Sequence, residues 1–382
     1  MVQAVGFRPR IYSIMQHAHI CWIALVLFCG SVTQVGRAND KLRDALVAEL
    51  NAMECPGALV GVLVGKEPPQ VFCVGVADVK TKAPMQRDFH MRIASVTKPI
   101  LGTAVLLLAD EGKLSVDDPM SKYVSDVPGG ETITLRQLAN NTSGLFNSIE
   151  NKEFQAAIVT DPKRPWPAKD ILAAAFAKPS YHEPGKAWRY SNTNAVLLGE
   201  VIDKVAGTPH AKFINERVLK PLGLAQTGFV PDATVPPPAP SSYRNGYEHK
   251  WLGYGQTFYD VTEYSAAWSG AAGNMYSTVD DLLKAAKPIA TGALLSEKSR
   301  GELHSWVKST RAELEYGFCI GTSHGWQGHY GDVPGYSSFM GYFPAKDISL
   351  VTLTNLSNNK DGTSPAERMR DVVIKYLDLN TK

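Results

Sequence analysis

Residues 93–99 read IASVTKP, and an apolar run, ILGTAVLLLADEG, continues them over residues 100–112. The run is apolar around nearly its whole circumference until Glu111 and ends on a glycine, a pattern that predicts a buried helix. Ser95 and Lys98 lie three residues apart at its start, just under one turn, so the hydroxyl and the amine share one face. We expect Ser95 to be a nucleophile whose own backbone N–H can face an oxyanion.

The spacing of this pair is not rare by itself. A serine also stands three residues before a lysine at Ser305 and at Ser357, and short motifs of this kind have low specificity. The pair at Ser95 differs from these copies in its context, because a long apolar helix and then two further motifs follow it.

The second motif is Tyr190-Ser191-Asn192. On an extended or looped segment, side chains two residues apart point the same way. We therefore expect the phenol of Tyr190 and the carboxamide of Asn192 to enter one cleft together. Large aromatic residues nearby are candidates for the walls of this cleft, namely Trp166, Trp188, Trp251, Tyr254 and Trp268.

The third motif lies in GHYGDVPGY, residues 328–336. If this segment is a strand edge, His329 and Gly331 lie on the same face. A glycine there would let a substrate backbone approach closely, and the backbone N–H of Asp332 would complete an oxyanion hole. His329 adds a side chain that can carry a positive charge.

A rival serine signature, GTSHG, occupies residues 321–325 and matches the Gly-x-Ser-x-Gly nucleophile elbow. That motif requires a following helix and then an acid and a histidine in order. The histidines after Ser323 are His324 and His329, with no acid between Ser323 and His329. We therefore reject the elbow interpretation.

The pattern of predicted elements indicates an α/β fold with a mainly antiparallel sheet flanked by helices. A helix over residues 40–52 precedes the first strands. β-branched and aromatic runs predict strands at residues 58–64, 71–76, 89–93, 314–320, 335–343 and 348–355, with a hairpin turn at residues 66–69. A last helix begins at Ser364, with Pro365 and Glu367 forming a predicted capping box.

Between the two groups of strands the sequence changes to short helical patterns broken by Pro-rich and Gly-rich turns. We interpret residues 114–268 as a helical insertion, and residues 39–113 together with 269–382 as the α/β part of the same domain. The clearest helix of the insertion lies at residues 197–205.

The N-terminal region, residues 1–38, carries three arginines and no acid, followed by an apolar run over residues 20–29. That run is too short to span a bilayer and predicts a signal peptide cleaved near Ala38. The protein would then be exported, to a periplasm or the outside of the cell. A start at Met15, a cut near Ser31 and an uncleaved anchor remain alternatives.

Composition sets further limits. The 382 residues are 44% apolar and 20% charged, as in ordinary globular proteins. Loss of the leader would change the formal charge from +2 to about −1, a balance that does not suggest nucleic acid. Three cysteines would remain, Cys55, Cys73 and Cys319, and we expect buried free thiols, with Cys73 opposite a residue near Val62. Without a Cys-x-x-Cys or His-Glu-x-x-His pattern, we expect no metal site and no cofactor.

Taken together, the three motifs resemble those of the penicillin-recognising serine hydrolases. The resemblance is to the branch that contains D-alanyl-D-alanine carboxypeptidases of the Streptomyces type, class C β-lactamases and related esterases. It extends from about residue 40 to 378 and includes the blocks DEGKL (110–114), TSGL (142–145) and YSNTN (190–194). The third motif begins with His329, where β-lactamases usually have Lys-Thr-Gly, so the chain is more similar to the carboxypeptidase-like members. Asp332 stands where those enzymes often have a small hydroxyl residue, and a carboxylate there would repel a substrate C-terminus.

The resemblance implies a serine hydrolase with a Ser95 acyl-enzyme, most similar to D-alanyl-D-alanine carboxypeptidases acting on peptidoglycan peptides. Lys98 or Tyr190 would be the general base, and Tyr190 would protonate the leaving group. Asn192 and His329 would orient it and the substrate amide. Alternatives on the same scaffold are a β-lactamase, a carboxylesterase and a penicillin-binding receptor that does not turn over. We expect a monomer that takes a small-molecule or peptide substrate and no nucleic acid.

Overall fold

The structure is a computed structural model that describes residues 40–230, 234–245 and 258–379. The predicted leader over residues 1–38 and the wall candidates Trp251 and Tyr254 lie outside these ranges. Residues 46–382 form one compact unit, and the site described below lies within it. No helix of the described part of the chain is long and apolar enough to cross a membrane.

The helices and strands alternate in long blocks along the chain. The helices are α1 (40–52), α2 (Thr97–Asp110), α3 (Leu135–Ala139), α4 (Lys152–Thr160), α5 (Ala168–Phe176), α6 (Asn192–Ala206), α7 (His210–Ile214), α8 (Val279–Thr291), α9 (Glu297–Leu303) and α10 (Pro365–Tyr376). The strands are β1 (Gly57–Val64), β2 (Gln70–Gly75), β3 (Met91–Arg92), β4 (Gly228–Phe229), β5 (Tyr243–Asn245), β6 (Phe258–Asp260), β7 (Met275–Ser277), β8 (Val307–Lys308), β9 (Glu315–Tyr316), β10 (Gly321–Ser323), β11 (Trp326–Val333), β12 (Tyr336–Phe343) and β13 (Ile348–Thr354).

An eight-stranded antiparallel sheet forms the centre of the fold, in the order β2-β1-β13-β12-β11-β10-β9-β8. Helix α8 packs on one face, where Val279 and Leu283 meet Gly61 of β1. Helix α10 covers the opposite face, where the Thr352 hydroxyl of β13 donates to the carbonyl of Ala366 at 2.7 Å. The predicted mixed α/β fold is confirmed.

Helix α2 is the central buried helix. Every residue from Thr97 to Leu108 is buried, as the apolar run predicts. A 3-10 turn, Ala94–Val96, precedes it and carries Ser95. The helix packs against α6 of the helical region and against the 3-10 segment Ala267–Ala272, so the nucleophile candidate lies between the sheet and the helices.

The middle of the chain is mostly helical but not wholly so. Helices α3 to α7 alternate with turns, and the helix predicted at residues 197–205 is the centre of α6. Three short strands also lie in this region, and β4 pairs with β7 in a small sheet with β3. The division into residues 39–113, 114–268 and 269–382 stays a prediction.

Several local predictions were wrong. The strand predicted over residues 314–320 is two separate strands, β9 and β10, because Gly317 and Cys319 form a turn in which Cys319 has a φ of 62°. The strand predicted at residues 89–93 is only the two-residue β3. Ser364 does begin α10, yet its side chain makes no capping bond, because the first-turn N–H groups bond to the Ser364 carbonyl and, at Ala366, to the Ser337 hydroxyl.

The cysteines are free among the described residues, as predicted. Cys55 and Cys319 are buried, whereas Cys73 is only partly buried. Cys73 lies opposite Leu59, not near Val62, because the hairpin register is fixed by the pairing of Val62 with Gln70 at the turn.

Candidate active site

The Ser95 hydroxyl is the meeting point of the predicted motifs. Lys98 Nζ lies 2.9 Å from Ser95 Oγ, as the three-residue spacing predicts. The Tyr190 hydroxyl lies 3.0 Å from the same oxygen. Both candidate bases are therefore within hydrogen-bond distance of the proton that a nucleophilic serine must lose.

Lys98 is held in place by three acceptors. Besides Ser95 Oγ, its Nζ lies 2.9 Å from Asn192 Oδ1 and 2.8 Å from the carbonyl of Ala272. The side chain is 2% exposed, and no carboxylate of the described residues lies within 4.0 Å of its amine. A buried amine with only neutral neighbours is suited to exchange a proton with Ser95.

Asn192 reaches Lys98 from a different backbone than the sequence suggested. The expectation placed Tyr190 and Asn192 on one extended segment, whereas Asn192 is the first residue of α6 and Tyr190 lies in the loop before it. The Asn192 N–H donates to Asn147 Oδ1 at 3.1 Å, which orients the start of the helix. Both side chains still enter the same cleft.

His329 bonds to a tyrosine that sequence reasoning missed. Its Nδ1 lies 2.5 Å from the Tyr330 carbonyl, an acceptor, so Nδ1 carries the proton. Nε2 then accepts from the Tyr316 hydroxyl at 2.8 Å. Burial, with Lys98 and Arg311 nearby, lowers the pKa of His329 well below its usual range, so the ring is neutral at neutral pH and does not supply a cation.

Tyr316 completes an aromatic wall beside the nucleophile. Burial, followed by the Tyr190 phenol, raises the pKa of the Tyr316 hydroxyl well above its ordinary value, so it remains a donor. Its ring lies edge-on to Tyr190 at 6.4 Å and tilted against Trp188 at 6.0 Å. Nothing in the sequence around Tyr316 distinguishes it from a core tyrosine, and only the fold brings it to His329.

Gly331 is required by packing rather than by substrate approach. A Cβ there would lie 2.4 Å from the Ile93 carbonyl oxygen, 2.5 Å from Ser338 Oγ and 2.9 Å from the Ala94 Cβ. Ser338 also donates to the Ile93 carbonyl at 2.7 Å. Strand β11 thus lies directly against the turn before Ser95, which accounts for the glycine.

The turn before the nucleophile has a strained backbone. Ala94 has a φ of 47°, in the left-handed region, where a residue other than glycine costs about 1–3 kcal/mol. It is 1% exposed and is held between the helix start and β11. This conformation presents Ser95 to the cleft.

The backbone edge of β11 lines the cleft. On the side away from β12, pairing among the described residues ends at Gly328, which pairs with Gly321 of β10. Residues 329–332 of that edge line a cavity of about 290 Å³ together with Ser95, Tyr190 and Asn192. Gly331 and Asp332 are therefore placed with the predicted catalytic side chains, and the oxyanion role of the Asp332 N–H stays a prediction.

The aromatic wall candidates divide into two groups. Trp188 lines the active-site cavity, and Trp268 lines a neighbouring cavity. Trp166 is buried in the core against Phe154, with ring centroids 4.6 Å apart, and does not line the active-site cavity. The cavity also holds two arginines that the sequence analysis did not single out, Arg311 and Arg370.

The rival serine signature lies on a hairpin turn and not on a strand-to-helix elbow. Ser323 ends β10, and β11 begins at Trp326, so no helix follows it. Ser323 Oγ does lie 3.0 Å from His324 Nδ1, but both side chains are on the surface. The rejection of the elbow is confirmed.

Fold and cleft together define a serine hydrolase. The chain belongs to the Beta-lactamase family, whose model matches residues 43–374. Among curated proteins, it is 27% identical over 267 residues to the putative penicillin-binding protein PbpX of Bacillus subtilis, covering 70% of this chain and 62% of that protein. It is 28% identical over 297 residues to protein flp of Staphylococcus aureus, covering 74% and 56%. The chain thus spans less than two thirds of the length of these relatives.

Solved structures match over nearly their full length. A D-stereospecific amidohydrolase from a Streptomyces species is 29% identical with a TM-score of 0.76, covering 88% of this chain and 97% of that one. The D-amino acid amidase of Ochrobactrum anthropi, in a complex with L-phenylalanine amide, is 25% identical with a TM-score of 0.79, covering 90% and 98%. The similarity therefore extends through the whole fold described above.

Proposed function

We propose that this protein hydrolyses amide bonds through an acyl-enzyme on Ser95. The observation that carries the proposal is the position of Ser95 Oγ, 2.9 Å from Lys98 Nζ and 3.0 Å from the Tyr190 hydroxyl. Such an arrangement activates a serine for attack on a carbonyl carbon. A small-molecule or peptide substrate fits the family and the size of the cleft.

The hydrogen bonds are compatible with either base. A neutral Lys98 amine would donate to Asn192 Oδ1 and the Ala272 carbonyl, which only accept, and would take the Ser95 proton on its lone pair. A charged Lys98 would donate to all three oxygens, and the Ser95 proton would pass to the Tyr190 oxygen. In both cases Tyr190 is placed to return a proton to the leaving nitrogen as the C–N bond breaks, and water then cleaves the ester on Ser95.

Within this class we propose a carboxypeptidase similar to the D-alanyl-D-alanine carboxypeptidases. The support is Arg311, which lines the cleft with its guanidinium carbon 5.9 Å from the centre of the Tyr190 ring. No carboxylate of the described chain lies within 4.0 Å of its nitrogens. An unpaired guanidinium beside the leaving-group acid is suited to bind the free carboxylate of a departing amino acid.

A second candidate is the hydrolysis of D-amino acid amides. It is supported by the similarity to the D-stereospecific amidohydrolase and the D-amino acid amidase. The Asp332 carboxylate also lines the cleft, where it would attract an ammonium group and repel a substrate carboxylate. β-Lactams and esters remain alternative substrates, and a receptor that does not turn over is the alternative from another class.

The carboxypeptidase assignment is tested with N-acetyl-D-Ala-D-Ala and the same peptide ending in a carboxamide. We expect kcat/KM to favour the free acid, and Arg311→Gln to reduce that preference by about tenfold or more. Lys308→Gln is the matched control, because Lys308 is a nearby cation that does not line the active-site cavity. Equal turnover of the two peptides, with faster turnover of D-amino acid amides, would contradict the carboxypeptidase and support the amidase.

We also propose that the protein is exported and acts as a monomer. The predicted leader at residues 1–38 supports export. The candidate nucleophile, lysine, tyrosine and histidine all come from one chain, so catalysis needs no second copy. A penicillin-binding protein homologue from Pyrococcus abyssi that shares the fold, at 24% identity and a TM-score of 0.73, is octameric, and gel filtration with light scattering distinguishes the two states.

A further inference from the structure

A second cavity of about 220 Å³ lies beside the active-site cleft. Most of its lining is apolar, and we call it the apolar cavity. Its apolar lining consists of Ile149, Ile158, Val159, Trp268, Val333 and Pro334. Engineered apolar cavities of about 150 Å³ already hold a benzene molecule, so this one has room for an aromatic side chain.

The apolar cavity adjoins the catalytic residues on three sides. Asp332 lines both it and the active-site cleft. Trp268 belongs to the segment Ala267–Ala272, whose last carbonyl accepts from Lys98. Ile149 closely follows Asn147, the residue that orients the start of α6. A group attached to a carbonyl at Ser95 can therefore reach this cavity.

Strand β11 gives the two cavities a direction relative to the scissile bond. At one end of the exposed edge, His329 lies near Tyr190 and Arg311, where the leaving group is protonated. At the other end, Val333 lines the apolar cavity. Gly331, between them, abuts the turn that carries Ser95. A substrate lying along this edge therefore directs its leaving side to Arg311 and its acyl side to the apolar cavity.

We propose that the apolar cavity binds the side chain of the residue that supplies the scissile carbonyl, and that this side chain is large and apolar, such as that of phenylalanine. The inference rests on the proposed Ser95 acyl-enzyme and specifies its substrate class. Each buried methylene contributes about 0.8 kcal/mol. An alanine methyl would leave most of the cavity unfilled, whereas a benzyl group would exclude water from it.

The test measures binding apart from catalysis. Ser95→Ala protein, made from the full-length chain, is titrated calorimetrically with N-acetyl-D-Phe-D-Ala and with N-acetyl-D-Ala-D-Ala, which share one leaving residue. We expect the phenylalanine peptide to bind at least about tenfold more tightly. Equal affinities, or no binding of either peptide, would overturn the assignment of the cavity.

A substitution that fills the cavity identifies the site of the preference. Val159 lies on α4 with its side chain partly buried in the lining, so Val159→Phe in the Ser95→Ala background should remove most of the phenylalanine preference. Val64→Phe is the matched control, because Val64 is 41% exposed at the end of β1. A preference that survives Val159→Phe unchanged would place the phenylalanine elsewhere.

Failure of this inference is distinguishable from failure of the proposed function. The acyl-enzyme is measured separately, on protein that retains Ser95, as a mass adduct. A Ser95-dependent adduct together with equal peptide affinities would leave the hydrolase in place and remove only the proposed side-chain site. A phenylalanine preference that is lost in Val159→Phe, without any adduct, would leave the binding site and remove the hydrolase.

Discussion

His329 holds a neutral imidazole between the Tyr330 carbonyl and the Tyr316 hydroxyl. Its ring lies 6.2 Å from that of Tyr190 and makes no hydrogen bond to the Tyr190 hydroxyl in the structure. We therefore treat it as a positioning residue, which fixes Tyr316 and through it the aromatic wall against Tyr190. A protonated ring would have no acceptor role at Nε2 and would add a charge beside Lys98.

The lowered pKa of His329 makes a prediction about stability and pH. In the unfolded chain the ring takes a proton near its ordinary pKa of about 6.5, whereas in the folded protein it stays neutral to a lower pH. Stability from this group is therefore full above that pH and is lost as pH falls below it. His329→Gln should have a smaller drop in melting temperature between pH 7.5 and 5 than the unaltered protein.

The control for that experiment is His182→Gln, because His182 is a partly exposed histidine outside the active-site cavity. It should show the same drop as the unaltered protein. An unchanged pH dependence in His329→Gln would contradict the neutral state of the buried ring.

At the scale of elements, the sequence predicted those features that depend on local pattern. The apolar run after Lys98 predicted α2, and the β-branched runs predicted β1, β12 and β13 with bounds close to those observed. The failures concern contacts between distant segments. The split of residues 314–320 depends on how the chain turns at Gly317 and Cys319, and the Cys73 partner depends on register, neither of which is a property of one segment.

The site followed the same division. Ser95 and Lys98 were predictable because their spacing is fixed within one helical turn. Tyr316, Arg311 and the Ala272 carbonyl were not, because they come from separate elements that meet only in the folded chain. The reason for Gly331 also required the structure, since only the packing of β11 against the turn before Ser95 reveals it.

That packing makes a prediction for Gly331→Ala. The added Cβ would meet backbone and buried side-chain atoms at 2.4–2.9 Å, so β11 must move away from the nucleophile. We expect a stability loss of about 1–3 kcal/mol and, because a displacement of about 1 Å can cost a hundredfold, a kcat/KM reduced about 100-fold. Thermal unfolding and peptide or ester turnover measure the two effects.

Gly301→Ala is the matched control, because Gly301 lies in α9 and a Cβ there meets nothing within 4 Å. Alanine in a helix is favoured over glycine by about 1 kcal/mol, so this variant should be as stable as the parent or more stable, with full activity. An active, stable Gly331→Ala protein would show that β11 does not hold the Ser95 turn in place.

At the scale of the whole molecule, the cleft exists because one sheet meets one helical region. Strand β11 supplies an open backbone edge, and α2 and α6 supply the side chains that face it. Neither part contains a site without the other. The two cavities along this edge divide the substrate into an acyl side and a leaving side.

Export is the prediction that belongs to the whole chain. Protein recovered from the medium or periplasm after expression of the full sequence should begin at Asn39, because small residues precede the predicted cut after Ala38. N-terminal sequencing and intact mass measure this directly. Recovery in a membrane fraction with residues 1–38 intact would contradict cleavage and support an uncleaved anchor.

The central claim is that Ser95 becomes acylated, and intact mass spectrometry tests it most directly. The protein is mixed with a labelled penicillin and with a p-nitrophenyl ester, quenched over a time course and compared with Ser95→Ala. We predict a mass increase equal to the acyl group, located on the peptide that contains Ser95, together with ester turnover that Ser95→Ala loses while its melting temperature is retained. Full turnover in Ser95→Ala, or an adduct that forms without Ser95, would contradict the account.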